Sequence, residues 1–321
     1  MGPFCKKRLV DLVTPALEAL RAHFIVTPDG TRLRTAVFER PENSDARGVC
    51  VLLHGQTEFI EKYGEVIDEL RGRGFTVATF DWRGQGASTR PLPDPLKCHV
   101  ENFREYDEDL ATFLEQVVKP ISAAPPLVLA HSMGGHILLR TLHDKPRAFS
   151  AAVLTAPMLG ISTREQPAWI AATVTFAMNA LGQSTAWVMG MAERDPLKLC
   201  FEDNMVTSDR ARWARTQAQL ERRPEIRLIG PTWGWLKAAN VSIARAFAPG
   251  YAQEITTPVL ICGAGKDRIV LTEAERDFAK RLPHGTYAEF EDAEHEILME
   301  NDSIRARFWK AFDAFVVTNR I

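Results

Sequence analysis

Apolar residues gather in short, nearly unbroken runs at 49–53, 76–80, 127–130 and 152–155. A run without polar alternation marks a strand covered on both faces, as in a parallel sheet. Between these runs, apolar residues recur at three- and four-residue spacing over 63–71, 103–118 and 133–143, which predicts helices. Strand, helix and strand then repeat as in βαβ units. Upstream, residues 24–26 and 35–38 flank Pro28-Asp29-Gly30, a turn signal that predicts an antiparallel hairpin. Downstream come a strand at 258–262, a helix at 273–281, a strand at 286–290 and a closing helix at 304–317. Near the start, Leu9, Val13, Ala16, Leu17 and Leu20 fall near helical spacing and predict an amphipathic helix docked on the body. The pattern is that of an α/β fold, a mostly parallel sheet of eight strands with helices on both faces.

The rhythm breaks over 158–250, where no strand-like run appears and Trp169, Trp187, Trp213, Trp233 and Trp235 concentrate. This predicts an α/β core formed by 1–157 and 251–321, with 158–250 inserted as a helical cap. Within the insertion, residues 166–192 carry no charge and match the roughly 20 residues a membrane span requires. Thr173, Thr175, Asn179, Gln183, Ser184 and Thr185, with Gly182 near the middle, are poor company for hydrocarbon and ordinary in two packed helices, which is the expectation here.

Composition narrows the field. The chain has 321 residues, and 39 Lys and Arg stand against 41 Asp and Glu, giving a formal charge of -2 and no electrostatic reason to expect a nucleic-acid partner. Cys5, Cys50, Cys98, Cys200 and Cys262 are odd in number and scattered, which suits a reducing compartment and predicts neither a disulfide framework nor a thiolate metal site. Lys6 stands where a myristoylation signal wants Ser or Thr, and Asp11 and Glu18 interrupt any signal-peptide apolar run, so no targeting segment is expected.

The candidate chemistry sits where strands end. The run at 127–130 leads through His131-Ser132-Met133-Gly134-Gly135 into a helix. So sharp a strand-to-helix turn needs small residues two before and two after its centre, and Ala130 and Gly134 provide them. Ser132 is the expected nucleophile, and the Met133 N–H, at the positive end of the helix dipole, is an expected oxyanion donor. A second donor is expected from the Gln56 N–H, in the loop where Gly55 lets the chain turn inward after 49–53. His54 beside it is expected to be structural. A base and an orienting acid must follow in the chain order Ser, acid, His. Asp267 follows the strand at 258–262 and His295 follows that at 286–290, so these two are expected to complete a triad; Asp292 and Glu294 lie too near His295 in sequence to reach around its ring.

These motifs resemble the α/β-hydrolase superfamily, and within it the branch of monoacylglycerol lipases and bacterial L2-type lysophospholipases. The resemblance covers nearly the whole chain. It rests on Leu53-His54-Gly55-Gln56-Thr57-Glu58, Asp81-Trp82-Arg83-Gly84-Gln85-Gly86-Ala87-Ser88, His131-Ser132-Met133-Gly134-Gly135, Gly265-Lys266-Asp267 and His295-Glu296-Ile297-Leu298. Relatives commonly carry Gly where Ala130 stands. The resemblance implies hydrolysis of a carboxylic ester, a monoacyl lipid such as a lysophospholipid or monoacylglycerol, through an acyl-enzyme and without metal or organic cofactor.

Within the insertion, Trp169, Phe176 and Trp187 are expected to line an acyl pocket, and the cap allows transient contact with a membrane surface. The arginines at 210, 212, 215, 222, 223 and 227 could favour a phosphate head group, and a solvated helix face explains them equally well. The expected partner is a small ester or lipid, and the expected location is the cytoplasm, peripheral at the membrane. A thioesterase, peptidase or perhydrolase with the same triad, or a silent binding protein on the same scaffold, stays open as an alternative.

Overall fold

A computed structural model of the chain describes residues 14–163, 166–192 and 194–321. The apolar runs form the strands β1 (Ala22–Val26), β2 (Arg32–Phe38), β3 (Val49–Leu53), β4 (Thr76–Phe80), β5 (Leu127–His131), β6 (Ala151–Thr155), β7 (Val259–Ala264) and β8 (Gly285–Phe290). They join in one sheet, ordered β1-β2-β4-β3-β5-β6-β7-β8. β2 pairs antiparallel with β1 and β4, and every other neighbouring pair is parallel.

Strand periodicity explains why the central strands are apolar throughout. Val51 and Leu53, Val128 and Ala130, and Ala152 and Leu154 enter one core. Their sequence neighbours Cys50 and Leu52, Leu127 and Leu129, and Ala151 and Val153 enter the core on the opposite face. Helices α2 (Gly64–Gly72) and α9 (Asp302–Thr318) cover the second face with Val66, Ile67, Leu70, Phe308 and Phe312. Helices α3 (Arg104–Phe113), α4 (Ser132–Asp144) and α8 (Thr272–Arg281) cover the first with Tyr106, Leu110, Ile137 and Phe278. Each such side chain contributes about 1.5–3 kcal/mol when fully buried.

The predicted N-terminal helix appears as α1 (Pro15–Glu18), capped by the Thr14 side chain. Leu9 and Val13 lie outside the described residues. α1 meets α2 at Gly64, where an added Cβ would come within 2.7 Å of the Leu17 side chain. The helix predicted over 103–118 begins as α3 and continues through a wider π turn, Leu114–Val118, into Lys119–Ile121.

Between β6 and β7 the described residues form α5 (Ala168–Ala180), α6 (Arg210–Arg222) and α7 (Trp233–Ala246). The charge-free stretch turns at Gly182, whose φ of 75° ends α5, and no helix among the described residues is long and apolar enough to cross a membrane. The segment is not wholly without strand: Gly230–Pro231 pairs in parallel with Lys97–Cys98. The apolar pattern does not announce this pair, because it only satisfies backbone groups, with Ile229 N–H donating to Leu96 and Thr232 N–H to Cys98.

Candidate active site

Three strand ends meet at one rim of the sheet. β5 runs into α4 with Ser132 at the junction, held at φ 49°. An L residue adopts that conformation only under constraint. The constraint is packing: an added Cβ at Gly134 would lie 2.5 Å from the His54 carbonyl oxygen, and Ser132 C=O accepts the Met158 N–H at 3.0 Å. Thr57 and Ala156, at φ 65° and 44°, are also strained, and both adjoin this rim.

His295 Nε2 lies 3.0 Å from Ser132 Oγ, and His295 Nδ1 lies 2.6 Å from Asp267 Oδ2. The other Asp267 oxygen accepts the N–H groups of Ile269 at 2.7 Å and Val270 at 2.9 Å. All three side chains are buried or nearly so: Ser132 is 7% exposed, His295 is 4% exposed, and the Asp267 side chain is fully buried. Burial works against ionising Asp267, but the His295 imidazole and the two N–H groups outweigh it and hold the carboxyl below its ordinary range. Burial likewise works against protonating His295, and Asp267 outweighs it, so the imidazole is raised above its ordinary value. Such a relay can hold one imidazole tautomer and draw a proton from the hydroxyl. Asp292 and Glu294 face outward instead, paired with Arg307 and Arg268.

The sequence pattern of the hydrolase family described as serine aminopeptidase, S33, matches residues 44–302. The chain belongs to this family of α/β hydrolases. It is 30% identical over 303 residues to the probable lysophospholipase L2 of Haemophilus influenzae, covering 94% of each chain. It is 34% identical over 266 residues to the lysophospholipase L2 of Escherichia coli, covering 80% of this chain and 77% of that protein. In fold it is similar to the soluble variant of the Saccharomyces cerevisiae monoglyceride lipase, with a TM-score of 0.73 at 19% identity, covering 94% of this chain and 96% of that one.

In this hydrolase the two expected oxyanion donors lie on different segments, Met133 in α4 and Gln56 in the loop after β3. Met133 is the second residue of α4, where a helical N–H has no acceptor one turn earlier. Gln56 lies in the loop after β3, which buried side chains pin from three directions. Glu58 Oε2 accepts the Gly55 N–H at 2.5 Å, Gln85 Oε1 accepts the Thr57 N–H at 2.6 Å, and Asp81 Oδ1 accepts the Ile60 N–H at 3.0 Å. Asp81 also holds the Arg34 guanidinium at 2.6 Å, and Gly86 is required beside it because a Cβ there would run into the carboxylate. His54 is structural in its contacts: Nδ1 meets the Gly55 carbonyl at 2.8 Å, and the Trp82 indole donates to the His54 carbonyl at 2.9 Å.

A buried charged group joins the loop after β3 to His295. Lys62 Nζ donates to Glu58 at 2.6 Å and to Glu296 at 2.5 Å, and Glu296 directly follows the imidazole. Burial opposes ionisation throughout, yet the Lys62 ammonium holds the Glu58 carboxyl well down, whereas Glu296 is left raised. The His131 ring lies 4.8 Å from the His295 ring, and burial drives its pKa down to about 3, so it stays neutral. Glu58 and Lys62 stand four residues apart after His54-Gly55, and Glu296 directly follows His295, which are the traces of this group in the sequence. Near Asp267, Glu275 is fully buried, neither of its oxygens has a hydrogen-bond partner among the described residues, and burial raises it well above the carboxylate range.

The substrate-contact residues expected in the insertion fall elsewhere. Trp169 and Phe176 stand on α5 at 70% and 69% exposure, so they present an outer face rather than line an enclosed pocket. Exposure follows because α5 is apolar nearly all round and α7 can cover only one side of it. Trp187 is partly buried, lies opposite Thr232 in an isolated bridge and receives the Lys97 ammonium 5.0 Å above its ring. The arginines are mostly engaged: Arg212 with Glu65, Asp209 and Asp302, Arg215 with Glu65, Arg210 with Glu202, Arg223 with Glu61 and Glu225, and Arg227 with Asp195. Glu65 of α2 pairs with Arg212 and Arg215, and Glu61 pairs with Arg223.

Proposed function

We propose that this chain, an ester-cleaving lipid hydrolase, takes a monoacyl lipid and cleaves its carboxylic ester with Ser132 as nucleophile, His295 as base and Asp267 as orienting acid. The observation that carries the reading is a strained serine at a strand-to-helix turn, 3.0 Å from an imidazole whose far nitrogen is held by a buried carboxylate. Ser132 Oγ attacks the ester carbonyl as its proton passes to His295 Nε2. The N–H groups of Gln56 and Met133 stabilise the oxyanion, and His295 returns the proton to the departing alcohol. Water, deprotonated by His295, then releases the fatty acid.

Residues 158–250 act as a roof over this rim, and their charge-free stretch is the part that touches a lipid surface. Trp169, Phe176, Leu181 and Met189, all exposed and apolar, supply the contact. The buried free thiols Cys50, Cys98 and Cys262 suit a reducing cytoplasm, with the protein peripheral at the membrane.

The test is a panel of a lysophospholipid, a monoacylglycerol, a thioester, an aminoacyl amide and a short aryl ester, run with the native chain and with Ser132→Ala. Monoacyl esters should be preferred, and kcat should fall by about 10⁴ or more in the variant while the fold is kept. Undiminished turnover by the variant removes Ser132 as nucleophile, and a preference for the amide makes the chain a peptidase, as the family description suggests.

A further inference from the structure

The loop that carries His295 is fastened on its far side to the insertion, by a carboxylate that takes no part in the chemistry above. Glu300 is fully buried, two residues before the start of α9. Its Oε1 accepts the Glu294 N–H at 2.8 Å and the Ser208 N–H at 3.2 Å. Its Oε2 accepts the Asn301 N–H at 3.2 Å and a short hydrogen bond from the Ser208 hydroxyl. No cation pairs with this carboxylate among the described residues, so backbone and hydroxyl donors hold it. Burial of a carboxylate is costly unless its oxygens are so occupied, which makes the arrangement stiff.

Ser208 belongs to a short segment of the insertion, 204–209, that meets the His295 loop along its length. Glu296 N–H donates to the Val206 carbonyl at 2.7 Å, and Thr207 Oγ1 donates to the Met299 carbonyl at 2.7 Å. Asn204 Oδ1 braces the segment by accepting the Val206 and Thr207 N–H groups at 2.8 and 3.2 Å. Directly after it, Arg212 donates to the Glu300 carbonyl at 2.9 Å while paired with Glu65 of α2. His295 therefore sits between two residues, Glu294 and Glu296, whose N–H groups both end on partners tied to this segment or belonging to it.

We infer that Glu300 is a positioning residue for the hydrolytic reaction: through Ser208 it makes segment 204–209 of the insertion the support that keeps the His295 imidazole on Ser132 Oγ. The inference rests on the reading of Ser132, His295 and Asp267 as the reacting groups. It divides the insertion in two, a fixed part around 204–222 that belongs to the reaction machinery and an apolar part around α5 that faces outward.

The variants Glu300→Gln and Ser208→Ala test this, read by steady-state kinetics on a soluble aryl ester and by the downfield proton signal of the His295 Nδ1–H in NMR. Displacing a reacting group by about 1 Å can cost on the order of 10²-fold. The expected result is a fall in kcat of roughly 10-fold for Ser208→Ala and up to roughly 100-fold for Glu300→Gln, with KM unchanged and the downfield signal broadened or lost. Wild-type kcat and an intact signal in Ser208→Ala overturn the inference, even where Glu300→Gln lowers the melting temperature or fails to fold. Ser132→Ala measured alongside separates the two questions: if it too turns over normally, the reading of the site fails, and if it is inactive while Ser208→Ala is wild type, only the present inference fails.

Discussion

The turn at Ser132 and the insertion after β6 reach order by opposite routes. At the turn, backbone meets backbone: Gly134 leaves no room for a Cβ against the His54 carbonyl, and Ser132 keeps a strained φ of 49° because both neighbouring strands are fully buried. The insertion packs Leu228, Trp235 and Ala239 into the core and anchors α6 by charge. Arg212 alone, 8% exposed, gathers Glu65, Asp209 and Asp302. The contrast teaches that a strained turn is set by close-packed backbone, while the attachment of α6 is set by side-chain pairings with distant elements.

The comparison can be broken at the turn first. Asp267→Asn keeps the shape of the acid and presents the wrong partner to His295 Nδ1, so kcat should fall by about 10⁴ with an unchanged melting temperature. A fall of less than tenfold would show that the imidazole is oriented by something other than this carboxylate. In the insertion the effect should move from rate to stability: Arg212→Met leaves Glu65 without its main cation and should cost about 3 kcal/mol in urea unfolding. If unfolding is unaffected, the ion-pair network is decoration and α6 is held by its apolar contacts.

A smaller effect belongs to α5. Trp169→Ser with Phe176→Ser should weaken binding to phospholipid vesicles by about tenfold, since each ring transfers part of the 1.5–3 kcal/mol of a fully buried apolar side chain. Turnover of a soluble short ester should stay the same, and equal vesicle binding removes α5 as the lipid contact. The smallest effect is in pH. His295 must be neutral to accept the Ser132 proton, and its pKa is raised because Asp267 outweighs burial. kcat/KM should therefore rise with pH through a midpoint above the ordinary imidazole value. The same shift stabilises the fold below the unfolded-state pKa of His295 and is lost as pH rises through the folded one, so activity and this part of stability run in opposite directions.

Much of the molecule was legible because its rules are local. A nearly unbroken apolar run is buried on both faces wherever it lies, which made β3 to β7 legible, whereas the more exposed β1, β2 and β8 were legible from a turn signal and from their place in the alternation of strands and helices. Ser132, Asp267 and His295 were legible because each follows a strand, and a parallel sheet delivers such ends to one rim. The pair at Lys97–Cys98 and Gly230–Pro231 was not, since two-residue strands that only satisfy backbone groups leave no periodic trace.

Sequence alone thus determined the strands, the turn at Ser132 and which three side chains follow a strand, because each of these features is set by residues within a few positions of it. Only the tertiary structure decided that Lys62 would bridge Glu58 and Glu296, that Glu300 would tie Ser208 to the His295 loop, that Arg212 would face Glu65, and that Trp169 and Phe176 would point outward. Apart from Glu58 and Lys62, four residues apart, those pairings join residues 92 to 234 positions apart. A charged or aromatic side chain has several partners of suitable chemistry along any chain, and the choice among them is made by which ones the packed core brings within reach.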